Sequence, residues 1–70
     1  MSTYQEFKSY SPFYDAVMAR ISMTDERGSE YFVLIPTKSG KAYRAAKAEA
    51  LEMIGEAMAQ DLEPGEVMRT

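Results

Sequence analysis

The chain has 70 residues, no cysteine, no histidine and no tryptophan, and eight Lys and Arg against eleven Asp and Glu give it a formal charge of −3. A chain this short has room for one domain and one core. The absences exclude disulfides, thiolate or imidazole zinc sites, a cysteine nucleophile and the commonest general base, and the net acidity argues against nucleic-acid binding.

The first thirteen residues are rich in rings: Tyr4, Phe7, Tyr10 and Phe13, with Tyr14 next, make five of the chain's eight aromatics. Tyr4, Phe7 and Tyr10 recur every three residues, and Thr3 followed by Glu6 matches a capping box, so a short helix or arm is expected over 4–10, ended by Ser11-Pro12. These rings either complete a small core or anchor a partner. One division serves both, with Phe7 and Phe13 inside and Tyr4, Tyr10 and Tyr14 exposed.

Two periods compete over 14–23. Val17, Ala19, Ile21 and Met23 alternate as in a half-buried strand, whereas Ser11, Pro12, Phe13, Val17 and Ile21 also suit a capped helix. The strand is preferred because residues 24–29 form a polar turn with Gly28, and residues 31–35 are the clearest strand in the chain, so the two make a hairpin. Pro36 closes the second strand and residues 37–40 read as a loop. From 41 to about 60 an alanine-rich helix is expected, with Tyr43, Ala46, Ala50, Ile54, Ala57 and Met58 on its apolar face and Glu49, Glu52 and Glu56 largely opposite. After the 63–65 turn, residues 66–69 suit either a short third strand or a loose tail.

The fold class expected is therefore α+β: a small antiparallel sheet packed on one long helix, with a short N-terminal helix or arm at 1–13 and a single domain at 14–70. Small scaffolds of this size usually need an added staple. With disulfides and zinc excluded, what remains is another protein surface, either a partner or a second copy as a homodimer. There is no export signal in the first ten residues and no apolar run long enough for a bilayer, so a cytoplasmic location without membrane insertion is expected.

The motifs carry little chemistry. Residues 35–41 have the strand, loop, Gly-Lys and helix layout of a phosphate-binding loop, but Ile35 stands where its first glycine belongs and Ala42 where its hydroxyl belongs. Glu49, Glu52 and Glu56 share one helix face without ligands from other directions, which reads as a solvated face. No cofactor and no catalytic residue is expected. Lys38, Lys41, Arg44 and Lys47 place cations at the helix start, against the macrodipole at a cost of a few tenths of a kcal/mol per charge, up to roughly 1. Together with Tyr4, Tyr10 and Tyr14 they are the candidate partner-binding residues.

The stretch 31–67, with its Pro-Thr-x-Ser-Gly-Lys turn, Ala-rich helix and Pro-Gly-Glu-Val ending, resembles the small accessory proteins of tailed bacteriophages, including those of actinobacterial hosts. That resemblance implies a protein that binds and inhibits or redirects a host protein complex. It supplies no site residues. The alternative is a nucleic-acid-associated regulator or antitoxin that uses the strip from Lys38 to Lys47.

Overall fold

In a computed structural model, residues 3–38 and 40–68 are described. Met1 and Ser2 of the expected arm, Ser39 of the expected loop and Arg69 of the expected last strand lie outside them. The elements are β1 (Thr3–Ser11), β2 (Ala16–Thr24), β3 (Glu30–Pro36), α1 (Gly40–Ala59) and β4 (Gly65–Glu66). They form an α+β fold in which a sheet of order β1-β2-β3-β4 packs on the one long helix. The first three strands are antiparallel neighbours, and α1 carries the chain back so that β4 pairs parallel to β3.

The N-terminal segment is a strand of the sheet, in place of the expected short helix or arm. All nine residues of β1 pair with β2, from Thr3 opposite Thr24 to Ser11 opposite Ala16. Tyr, Phe and Thr favour a pleated surface, and β2 supplies a long-range partner that a three-residue periodicity cannot reveal. Pro12 sits in the turn between the strands, where Asp15 adopts φ 52°, a left-handed conformation that Asp tolerates. The Tyr10 hydroxyl donates to the Asp15 carboxylate across this turn.

The hairpin of β2 and β3 forms as expected, and the strand reading of its first arm holds. Asp25 shapes its turn: its carboxylate accepts from the amides of Arg27 and Ser29, each at 2.9 Å, and Gly28 takes φ 83°. Those amides, Ser29 first, hold the Asp25 carboxyl below its ordinary range.

Helix and sheet meet through Ala19, Ile21, Tyr31, Val33 and Ile35 on one side and Ala50, Ile54 and Ala57 on the other. The alanines let backbone approach backbone, while Ile21 and Ile54, both fully buried, fill the space between. Tyr43, Ala46 and Met58 pack at the margin of this core, so the apolar helix face is the expected one. Tyr31 is buried to its hydroxyl, which donates to the Leu62 carbonyl at 2.9 Å and so ties the helix end to β3. That end is a Schellman turn: the Leu62 amide bonds the Ala57 carbonyl and the Asp61 amide bonds that of Met58. Asp61, at φ 54°, occupies the left-handed position usually given to glycine, with Arg27 3.0 Å from its carboxylate.

Candidate functional site

Strand alternation sorts the sheet residues onto two faces. The helix covers the face of Ala19, Ile21, Tyr31 and Val33, and Tyr4, Glu6, Lys8 and Tyr10 of β1 stand on that same side. No described element lies over the opposite face. Its residues run in cross-strand rows: Ser9, Met18 and Pro36; then Phe7, Arg20 and Leu34; then Gln5, Ser22 and Phe32; then Thr3, Thr24 and Glu30.

The centre of this bare face is Arg20. Its guanidinium lies over the Phe32 ring, 4.1 Å from the centroid, and reaches along the strand to a two-pronged ion pair with Glu30 at 2.7 and 2.9 Å. Stacking and the bidentate pair fix a side chain that otherwise has several free torsions. The Arg20 guanidinium holds the Glu30 carboxyl below its ordinary range. Met18 and Ser22 are buried beneath their neighbours, whereas Phe7 is 58% exposed. The result is an apolar patch with one ordered arginine at its centre and a polar rim.

The candidate residues from the sequence fall elsewhere, in three groups. Tyr4 and Lys47 meet at Glu6: its carboxylate accepts from the hydroxyls of Tyr4 and Tyr43 and pairs with the Lys47 ammonium at 3.3 Å. Hydrogen bonds from Tyr43 and Tyr4, with Lys47 adding to them, hold the Glu6 carboxyl at about 2. Burial and the Glu6 carboxylate push the Tyr43 hydroxyl up to about 12. Tyr10 and Tyr14 sit at the other end of β1, both exposed, with Tyr14 packed edge-on against Phe13. Lys38, Lys41 and Arg44 are exposed around the helix start. The cationic strip is thus divided, because Lys47 is engaged with β1.

The expected interior placement of Phe7 and Phe13 is corrected. Both are exposed, Phe13 at 87%, because Phe7 points to the bare face and Phe13 lies in the turn. Glu52 and Glu56 are exposed, and among the described residues no three His, Cys, Asp or Glu side chains gather into a metal-binding group. No described helix is long and apolar enough to cross a membrane.

Sequence reasoning missed Arg20, Glu30 and Phe32 as a unit. The signal was present: centring the hairpin on its turn sets Arg20 opposite Leu34 and Glu30 opposite Thr24, so that Phe32 falls between the two charges on one face. No family model matches this chain, and no characterised protein and no solved structure shows significant similarity to it.

Proposed function

We propose that this chain is a non-catalytic protein-binding module that docks a partner protein on the bare face of its sheet. The observation that carries the reading is the stack of Arg20 on Phe32, clamped by Glu30 and flanked by Phe7 and Leu34. Arginine and aromatic side chains are enriched among residues that dominate binding energy, and a side chain already ordered loses less entropy on association. A partner in a host-cell complex, to be inhibited or redirected, agrees with the resemblance to bacteriophage accessory proteins. Lys38, Lys41 and Arg44 would then serve the approach of an acidic partner more than the final contact. Catalysis has less support, because the carboxyls of Glu6, Asp25 and Glu30 are all shifted down, away from the range useful to a general acid or base near neutrality.

A second reading rests on the same platform. Rings and an arginine on an open sheet can stack bases of single-stranded nucleic acid. The net charge of −3 and the Glu30 carboxylate beside Arg20 disfavour it.

Capture from a host lysate by the immobilised chain, with and without nuclease, compares the readings. The expected result is a defined protein retained after nuclease treatment by the wild type and by the Lys41→Glu/Arg44→Glu variant, but lost with Arg20→Ala/Phe32→Ala. Loss on nuclease treatment favours nucleic acid. Retention by Arg20→Ala/Phe32→Ala with loss on charge reversal moves the docking surface to the helix start.

A further inference from the structure

The outer edge of β1 is built to pair. Backbone hydrogen bonds from Thr37 to Val17 and from Asp25 to Ser29 fix which residues face each other between β2 and β3: the odd-numbered ones. The even-numbered residues of β2 therefore bond the odd-numbered residues of β1, and the amides and carbonyls of Tyr4, Glu6, Lys8 and Tyr10 point away from the sheet. β1 is nine residues long, runs in unbroken register and contains no proline or bulge, two of the devices that blunt an edge, and its own charges, Glu6 and Lys8, are of opposite sign.

We propose that two copies of this chain pair antiparallel through β1, with Phe7 on the two-fold axis, joining their sheets into one of twice the width. This goes beyond the docking reading and does not depend on what the bare face binds. Antiparallel pairing across the axis must match outward residues with outward residues. With Phe7 at the centre, Glu6 stands opposite Lys8 of the second copy and Tyr4 opposite its Tyr10, so all four outward residues of each strand find partners. The neighbouring registers that also match outward residues place Glu6 opposite Glu6 or Lys8 opposite Lys8, and like charges directly opposite are destabilising. Charge thus selects one register. Glu6 is held in place for this role by Tyr4, Tyr43 and Lys47, and Lys8 is exposed over the Tyr43 ring, 5.1 Å from its centroid. On the bare face, the two Phe7 rings meet between the two Arg20 platforms. A seam of one strand per copy buries less than the roughly 1,200–2,000 Å² of a standard stable interface, so the pairing is concentration-dependent rather than obligate.

Cysteine trapping tests this, since the chain has no cysteine of its own. At the axis the Phe7 pair is of the non-hydrogen-bonded kind, with Cα atoms about 4.5 Å apart, close enough for a disulfide. Phe7→Cys, made at an exposed position, is oxidised in a glutathione buffer beside Phe13→Cys, which lies off the seam. Pairing raises the effective concentration of the thiols, and Phe7→Cys is expected to cross-link at least about tenfold faster. Gln5→Cys mixed with Ser9→Cys is expected to give chiefly the mixed dimer, because those positions face each other across the axis. Adding Lys8→Glu to Phe7→Cys, which sets two carboxylates opposite, is expected to return the rate toward that of Phe13→Cys. Equal rates for Phe7→Cys and Phe13→Cys would overturn the dimer, and self-linked Gln5→Cys in place of the mixed product would overturn the register. Circular dichroism of each reduced variant confirms that the chains compared are folded.

Discussion

On the helix side of β2 and β3, Ala19, Ile21, Tyr31, Val33 and Ile35 are closed against Ala50, Ile54 and Ala57, and the one side-chain polar atom among them, the Tyr31 hydroxyl, is satisfied by the Leu62 carbonyl. On the other side, alternate residues of the same strands hold Arg20 on Phe32 beside the exposed Phe7, with nothing described above them. The first face is small, apolar and finished. The second is aromatic, charged and ordered by its own side chains. An antiparallel sheet tolerates one solvated face, but that face is normally polar, and rings fixed there without cover are more useful for contact than for folding. The difference assigns stability to one set of alternating residues and recognition to the other.

The largest expected effect breaks the closed face. Ile54→Ala should cost about 2–5 kcal/mol in urea titration, the usual range for emptying a buried isoleucine position, whereas Glu52→Ala, exposed on the same helix, should change little. Next comes the turn that sets the register of both faces. Gly28 has φ 83° and open space around it, so Gly28→Ala suffers backbone strain without a clash and should cost about 1 kcal/mol. Arg20→Ala should cost less, about 0.2–1 kcal/mol for a half-exposed pair, while removing partner capture. Stability and binding then separate at one residue.

Between the two faces in effect lies the Glu6 cluster, whose contribution is expected in the pH profile. The Glu6 carboxyl is lowered from 4.5 to about 2, so the stability it confers is full above its unfolded value and is lost as pH falls through 4.5 toward 2. Tyr43 is raised from 10 to about 12, so its share is full below 10 and is lost as pH rises toward 12. Urea midpoints should therefore fall less steeply with acid in Glu6→Gln than in the wild type, and less steeply with alkali in Tyr43→Phe.

The parts of this fold that were legible in the sequence are those with local or strictly periodic signals. Alternation from Val17 to Met23, the Gly28 turn and the run from Tyr31 to Ile35 reveal the hairpin, and the alanine-rich period reveals α1 with its buried Ile54. β1 was hidden because an edge strand exposed on both faces has no apolar alternation to display: Tyr4 and Tyr10 share one side with Glu6 and Lys8, and Phe7 shares the other with Gln5 and Ser9. The last strand is expected over 66–69, but β4 is only Gly65–Glu66 and pairs parallel to β3, a partner and direction that so short a segment does not reveal. Of the candidate site, the exposure of Tyr4, Tyr10 and Tyr14 is one of two readings the sequence leaves open, and the Arg20 platform depends on register across a hairpin and on a diagonal reach over Phe32.

The division between the two faces is tested most directly by removing both rings from the bare one. Equilibrium urea unfolding of Phe7→Thr/Phe32→Thr, which keeps strand-compatible residues at both positions, should show a cooperative transition with a loss below about 2 kcal/mol, smaller than that of Ile54→Ala alone. A loss equal to or larger than that of Ile54→Ala would show that the bare face is part of the folding core, and the assignment of that face to recognition would fall.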